Sequence, residues 1–577
     1  MKRIGIFLFY DKNGIVDDYI PYMVRDMREN LDRLVIVVNG KINDSGKEKL
    51  APFTEEIIIR ENKGFDSGGW KYALTEVIGW DALSEYDELI LFNDSYFGPV
   101  YPFREVFAKM DADPADFWGL ASHGEVSPDP YRYYPQGQNP YGYWPEFIHS
   151  YFIAVRKRMF TSDAFHRFWE ELPYWTNIFD AVGKFETIFT KHFADLGFTW
   201  DTLVHTEDLD VPAPDNHYIL NLTPMLERGY PIIKHKIFQT SLFWYLNHPN
   251  SAENSHMGED LLSAMKWLRE NSGYDIRLAL QHQIRISSPE DLYRSMHLAK
   301  IIRPAEIHGK QDALIVLYLQ NEASFRGIEA FTQVADVLLL TNQTIHIDGC
   351  ETMQVPNETT PEKALILAGE KIRNYKVFCF CHDSVYGKTP YSRSHSLNHL
   401  RFENILSSPE YVQGVLNCFE EEPMLGILTA PRPILPLTYD SLGWDDSFER
   451  VKSLCDSLKL GVSPVPDKSS LTSGNAFWAQ TDALLPLFVH DWKEEEISAI
   501  ERIYPYAAQS RGYLTGTVMT KTYASILLTD YEEMAVHHEL HYSGASDPTV
   551  MAGKGIRNNF NALMIAIKNK LFRRKAL

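Results

Sequence analysis

Long apolar runs are missing from this sequence: no stretch approaches the ~18 consecutive apolar residues of a membrane-spanning helix. Cysteine is scarce too. The five cysteines of the 577-residue chain are odd in number and all lie in its second half, and although Cys379 and Cys381 alternate along a strand-like run, no C-x-x-C pair accompanies them. A disulfide framework and a cysteine-based metal site are therefore unsupported, and a reduced cytoplasmic protein is expected. No secretory leader is expected either. After Met1-Lys2-Arg3 the run at 4–10 breaks at Asp11 and Lys12 and has no small-residue cleavage site, so it reads as a first strand. Positive charge is in deficit. With 56 Lys and Arg against 77 Asp and Glu, the net charge of −21 argues against a nucleic-acid backbone as the main partner.

What is present is a core-forming composition, 45% hydrophobic and 13% aromatic, which excludes a disordered chain and suits an enzyme that stacks flat ligands. The most informative stretch is 86–99. There the run Leu89-Ile90-Leu91-Phe92 ends abruptly in Asn93-Asp94-Ser95 and a Gly-Pro turn, the pattern of a buried strand. Ligands in open α/β sheets bind beyond the carboxyl ends of strands, so Asp94 stands where chemistry is usually done. The stretch has an echo at 375–387, where Asp383 corresponds to Asp94 and His382 to Asn93. Residues 117–121 are likewise echoed at 424–428, 150–154 at 475–479, and the Glu186 to Gly197 interval equals the Glu501 to Gly512 interval. Two diverged tandem copies of one α/β domain are expected, each of roughly 250 residues and large enough for its own core.

Strand and helix patterns alternate along the first copy: strands at 4–10, 34–38, 56–60 and from 89, with a helix at 16–31, as in a doubly wound sheet. The loop at 62–70 holds Gly64, Gly68 and Gly69. Its glycines would let backbone N–H groups and a helix N-terminus approach a diphosphate, or would simply relieve strain in a tight turn. The loop matches neither G-x-G-x-x-G nor G-x-x-x-x-G-K-[ST], so dinucleotide and P-loop sites are unsupported. Residues 131–152 are dense in Tyr and Trp, a binding loop for sugars or a satellite core. His205, Glu207, Asp208 and Asp210 form an acidic cluster, either lining a site or a solvated charge run. Strands are also expected at 150–155 and 230–236, helices at 185–196, 260–270 and 289–300, and second-copy strands at 313–319 and 337–340.

At the far end, His537-His538-Glu539-Leu540-His541 resembles a metal motif without the i, i+4 histidines of H-E-x-x-H, which makes a protease a poor reading and leaves His538 a candidate metal ligand. Residues 548–577 contain no Asp or Glu and seven Lys and Arg, with Ile556, Phe560, Leu563, Met564, Ile567 and Leu571 on one helical face. A basic amphipathic tail of this kind suits an anionic membrane surface, or packs on the protein with a solvated tip. The expected organisation is a first domain at 1–250, a helical connector at 251–310, a second domain at 311–547 and the tail at 548–577.

A strand-end Asp, a glycine loop, an aromatic wall and a helical Glu fit sugar transfer from a nucleoside diphosphate. A carboxylate holds Mg²⁺ or Mn²⁺ against the leaving group, and a second takes the proton of the acceptor hydroxyl. The segments N-K-G-F-D-S-G-G-W-K-Y-A-L at 62–74, L-F-N-D-S-Y-F-G-P at 91–99, the S-Y-F strand and S-G-N-A-F-W-A in the second half resemble the rhamnan synthesis protein F family over nearly the whole chain. The resemblance implies two tandem GT-A-like, Rossmann-like glycosyltransferase domains that make rhamnose-rich cell-wall polysaccharide in Gram-positive bacteria. It implies an inverting rhamnosyltransferase moving L-rhamnose from dTDP-β-L-rhamnose to an undecaprenyl-diphosphate-linked α-rhamnan, peripheral on the inner face of the plasma membrane.

Carried over by position, Asn93, Asp94 and Ser95 stand for the GT-A Asp-x-Asp motif with one carboxylate instead of two. Glu186 and Glu501 are the expected bases, although a carboxylate in a first helical turn is also favoured by the helix dipole alone. Substrate contacts are expected from Asn62, Gly64, Asp66, Ser67, Gly68, Asn93, Ser95, Tyr151, Lys234, His382, Phe477 and Trp478, and metal contacts from Asp94, His235, Asp383 and His538. The second copy is either a second transferase or a holder of acceptor polymer. The alternatives for the whole chain are a non-catalytic polysaccharide-assembly protein and a transferase of another sugar.

Overall fold

The apolar runs do become strands, and their C-terminal ends converge. The computed structural model describes residues 1–133, 136–209, 217–238, 257–384, 391–432, 444, 447–468, 470–472 and 474–543. The tail at 548–577 and Asp210 lie outside these residues. The chain divides into a first unit, Met1–Leu298 with Phe448–Leu471 and Pro505–Thr515, and a second unit, Ala299–Ser447 with Thr472–Tyr504 and the chain from Gly516.

In the first unit the strands are β1 (Arg3–Phe9), β2 (Arg33–Asn39), β3 (Ile57–Arg60), β4 (Glu88–Asn93), β5 (Tyr96–Phe97), β6 (Phe117–Gly119), β7 (Ser122–His123), β8 (Phe147–Ile148), β9 (Phe152–Arg156), β10 (Trp200–Thr202) and β11 (Ile233–Lys234). Seven of them form one sheet in the order β10-β6-β9-β4-β1-β2-β3. Strand β1 lies parallel between β2 and β4, with Ile6 opposite both Val35 and Leu91. Strand β9 runs antiparallel to both β4 and β6, so the sheet is mixed.

Helix Tyr19–Arg28 buries Ile20, Met23, Val24 and Met27, the stripe expected from its sequence. It starts later than the expected residue 16, and Asp17 just before it is held by His282 at 2.5 Å and Arg285 at 2.7 Å. Ile6, Leu8, Leu89 and Leu91 pack with Trp70, Trp169 and Phe189 in the core, each large side chain contributing about 1.5–3 kcal/mol on burial. Away from the strands' carboxyl ends, buried Glu88 accepts from Arg3 Nε at 2.7 Å and Trp118 Nε1 at 2.9 Å, so no charge is stranded there.

In the second unit the strands are β12 (Ala299–Ile302), β13 (Ala313–Tyr318), β14 (Asp336–Thr341), β15 (Glu351–Gln354), β16 (Val377–His382), β17 (Leu425–Thr429), β18 (Phe477–Gln480) and β19 (Leu514–Thr520), ordered β12-β19-β17-β18-β16-β13-β14-β15. Here too one strand, β18, runs antiparallel between its neighbours β16 and β17. Counted from the β3 edge and from the β15 edge, the antiparallel strand takes fifth place in both sheets. The helix expected at 289–300 is shorter. It spans Pro289–Ser295, His297 turns left-handed at φ 50°, and Ala299–Ile302 pairs with β19 as a strand.

Candidate active site

The carboxyl ends of β1, β2, β3 and β4 bring the glycine loop and the Asn-Asp-Ser turn together. Gly64, at φ 78°, sits just before helix Phe65–Tyr72, a conformation that glycine adopts without strain. Asn39 at the end of β2 donates to the Phe65 carbonyl at 3.0 Å, and Arg60 at the end of β3 donates to Asn39 Oδ1 at 2.5 Å and to the Lys63 carbonyl at 2.9 Å. The loop is thus tied to two strand ends. Its glycines are used for packing: Gly68 N–H donates to the Gly64 carbonyl, a Cβ on Gly68 would meet Lys63 O at 2.2 Å, and one on Gly69 would meet Leu8 at 2.0 Å. Ser67 Oγ also donates to the Gly64 carbonyl, at 2.9 Å, while Asn62 is exposed at the loop's outer edge.

Around β4 a polar chain runs through the expected residues. Lys234 Nζ donates to Ser95 Oγ at 2.6 Å, Ser95 Oγ donates to Asn93 Oδ1 at 2.6 Å, and Asn93 Nδ2 donates to Asp66 Oδ2 at 2.7 Å. Lys234 is placed by β11, which pairs antiparallel with β5 so that Lys234 faces Tyr96. Its ammonium also lies 4.2 Å from the centre of the Tyr151 ring, a cation–π distance. Tyr151 and Tyr230 share a hydroxyl hydrogen bond at 2.5 Å. Asp94 accepts from the Tyr10 N–H at 2.9 Å, just past β1.

Burial sets the electrostatics. It pushes the Asp94 carboxyl up to about 8, against the Tyr10 N–H and with the help of neighbouring Asp66. Burial also raises Asp66, against its bond from Asn93. The same burial brings Lys234 down to about 8, opposed by Glu186 and Asp66. Two carboxyls and an amine are therefore each driven toward the neutral form in one buried cluster, and ligands of opposite charge would restore their ionisation. Glu186, at the end of the π-type turn Val182–Glu186, accepts from Ser150 N at 3.0 Å and Ser150 Oγ at 2.9 Å through Oε1 alone.

Two raised carboxyls fit a divalent cation as oxygen donors, although among the described residues no three His, Cys, Asp or Glu gather as a metal-binding group. The His235 ring packs 4.0 Å from Phe97 and 4.7 Å from His282, and burial and His282 hold it neutral. In the acidic cluster, Asp208 pairs with Arg228 at 2.7 Å on the exposed surface.

At the corresponding turn of the second unit every expected group is engaged internally. Asp383 is buried and accepts from Gln320 N at 2.9 Å and Asn321 N at 2.8 Å. His382 donates through Nε2 to the Gly474 carbonyl at 3.0 Å and accepts from Ser384 N at 3.2 Å, and burial and Arg401 keep it neutral. Glu501 accepts from Gly474 N at 2.5 Å and pairs with Arg502 at 2.5 Å. Phe477 and Trp478 are core residues of β18: the Phe477 ring lies 4.7 Å from Tyr504, and Trp478 Nε1 donates to the Ile405 carbonyl at 2.8 Å. His538 falls in helix Lys521–Ser543, where its side chain lies outside the described residues.

Sequence reasoning missed Tyr10, Asn39, Arg60 and Tyr230. Asn39-Gly40 carried a signal, a polar residue closing an apolar strand, whereas Tyr230 carried none.

A family profile described as rhamnan synthesis protein F matches residues 34–513. Among curated proteins, the chain is 21% identical over 256 residues to the uncharacterized protein y4gN of Sinorhizobium fredii, a match covering 44% of this chain and 61% of that protein. It is 26% identical over 162 residues to the virulence protein VirA of Vibrio anguillarum, covering 28% of this chain and 51% of that protein. The chain thus spans between about half and three fifths of these curated relatives. Among solved structures it is similar to glucosyl-3-phosphoglycerate synthase from Mycobacterium tuberculosis in complex with Mn²⁺ and UDP-glucose, at 12% identity and a TM-score of 0.21, covering 38% of this chain and 77% of that one.

Proposed function

As the chain belongs to the rhamnan synthesis protein F family, we propose that its first unit is a glycosyltransferase that moves a sugar from a nucleoside diphosphate to a growing polysaccharide. The proposed donor is dTDP-β-L-rhamnose and the proposed acceptor a lipid-linked α-rhamnan. The observation that carries the reading is the Lys234–Ser95–Asn93–Asp66 chain beside Asp94 at the end of β4. It offers one cationic and two carboxylate groups, all shifted toward neutrality, to a ligand that brings both a diphosphate and a cation.

In this mechanism Lys234 holds the diphosphate and gains its proton more firmly as that charge arrives. Asp94 and Asp66 would hold a Mg²⁺ or Mn²⁺ ion, which when bound neutralises charge on the departing diphosphate. Glu186 takes the proton of the acceptor hydroxyl while that oxygen bonds to the anomeric carbon and the bond to the diphosphate breaks. A β donor giving an α product requires this single inverting displacement. Tyr151, fixed by Tyr230, forms part of the wall beside the reacting sugar.

The two sheets with their fifth-place antiparallel strands support reading the chain as two tandem GT-A-like copies, and the connector between them remains the proposed 251–310. The second copy we read as non-transferring, because Asp383 and Glu501 are committed to backbone N–H groups and to Arg502. Among the described residues no helix is long and apolar enough to cross a membrane. The basic tail is the proposed contact with an anionic membrane surface, on the cytoplasmic side where nucleotide sugars are made. The test is dTDP release from dTDP-β-L-rhamnose with a lipid-linked rhamnosyl acceptor, with and without EDTA. Release that depends on Asp94 supports the reading, and no release with no donor binding leaves a polysaccharide-binding protein.

A further inference from the structure

Between the matching strands of the two units the connections differ. In the first unit β1 reaches β2 through helix Tyr19–Arg28, with its buried stripe of four apolar residues from Ile20 to Met27. In the second unit β13 reaches β14 through two short 3₁₀ turns, Glu322–Phe325 and Ile328–Gln333, and the latter buries Ile328 alone. A full helical stripe is missing from that connection, and an open cavity of about 320 Å³ lies there, lined by these turns, β13 and the Ser407-Ser408 start of helix Pro409–Glu421.

The lining of this cavity is graded. Of the residues that line it, Leu317 and Leu406 are buried, Phe331 and Phe402 are half-buried, and Arg326 and Ser407 are exposed and so lie on its solvent side. None of the described lining residues is Asp, Glu, His or Cys, so the cavity has groups for binding and none for acid–base or metal chemistry. Its volume is at the small end of ligand cavities, room for about two sugar rings. Half-buried aromatic faces match the C–H face of a pyranose, and a hydroxyl with a guanidinium at the rim matches its hydroxyl edge.

We propose that this cavity is a non-catalytic saccharide subsite that holds the acceptor glycan during its extension. The identity of the glycan rests on the transferase reading above, but the cavity's chemistry does not. The subsite gives the second copy a task that its internally satisfied carboxylates leave open, because a polymer held here stays with the enzyme between additions.

The full chain, without donor, is titrated with a short α-linked rhamno-oligosaccharide by calorimetry and saturation-transfer NMR. Wild type should bind it. Ser407→Trp, an exposed substitution that fills the mouth, and Phe402→Ala should each weaken binding about tenfold. Ser407→Trp should keep the wild-type melting temperature, which separates occlusion from misfolding. Asp94→Asn should bind the oligosaccharide within about twofold of wild type while losing dTDP release. Unchanged binding in Ser407→Trp overturns the subsite, as does a wild type that releases dTDP and binds no oligosaccharide. Ser407-dependent binding by a wild type that releases no dTDP overturns the transferase reading and leaves the subsite standing.

Discussion

At the ends of β4 and β16 the same Asp-Ser pair follows the strand, yet the two aspartates have become different groups. Asp383 gives both carboxylate oxygens to the N–H groups of Gln320 and Asn321 and is buried, so it works as a fastener between two strand ends. Asp94 gives one oxygen to Tyr10 and stays partly open, with Asp66 and Lys234 in the same cluster. The preceding residue shows the same divergence. Asn93 and His382 both accept the N–H of the serine two residues on, at 3.1 and 3.2 Å. Asn93 then donates to a carboxylate, Asp66, whereas His382 donates to the Gly474 carbonyl. One side chain supports a titratable carboxyl and the other closes a loop. The lesson is that an Asp retained at a matching position need not retain its surroundings, since the backbone N–H groups at a strand end give a carboxylate structural work.

The sharpest way to break this comparison is a pair of matched substitutions. Asp94→Asn is expected to lower dTDP release roughly a hundredfold or more with no loss of melting temperature at neutral pH, since the fold disfavours the ionised carboxyl it removes. Asp383→Asn is expected to cost about 2 kcal/mol of stability, since it weakens two charge-assisted bonds, and to leave transfer by the folded protein near wild type. Equal loss of transfer in both, at matched folding, would give the second unit a chemical role.

The two glutamates sharpen it next. Glu186→Gln should lower kcat by roughly 10²–10⁴-fold, the usual contribution of a general base, while donor affinity holds. Glu501→Gln strips the carboxylate from buried Arg502, so about 3 kcal/mol of stability is expected to go instead. Denaturant melts and initial rates on both variants separate the outcomes.

A smaller effect is expected from Lys234. Because its ammonium loses the proton near 8 in the free protein, donor affinity measured without metal should fall as pH rises through about 8. Lys234→Met should bind donor roughly tenfold more weakly and show a flat profile. A wild-type profile that is already flat would remove Lys234 from the diphosphate.

The remaining effect is on the ligand-free fold. The folded state binds a proton at Asp94 near 8, while the unfolded chain does so only near 4. Between those values the native state holds more protons, so this group makes the protein more stable as pH falls from 8 toward 4. Asp94→Asn should lose that slope, read as melting temperature against pH, while Asp383→Asn keeps it.

Much of the fold was legible because it rests on local pattern. The run at 89–92, the stripe of Ile20, Met23, Val24 and Met27, and the echoes at 424–428 and 475–479 all lie where strands or helices form. Less was legible at residues 296–302, where a left-handed His297 and pairing with β19 convert an expected helix into a strand. Around β4, Asp66, Asn93, Ser95 and Lys234 were named from sequence and join in one hydrogen-bonded chain, with Tyr151 against Lys234 and with Asp94 and Glu186 near enough to influence it. Tyr10 and Arg60 were missed because they act through a backbone N–H and through the far end of a loop.

Taken by itself, the amino-acid order determined which residues are buried, where strands stop, and that a carboxylate stands at two of those stops, because alternation and turn chemistry act over a few neighbours. It also carried the likeness that places the chain in its family. Only the tertiary structure decided that Asp94 is pushed to about 8 while Asp383 is clamped by two N–H groups. Only there does Lys234, 139 residues beyond Ser95, come within 2.6 Å of its hydroxyl. Desolvation and hydrogen-bond partnership depend on what the rest of the chain brings into contact, and no local pattern encodes that.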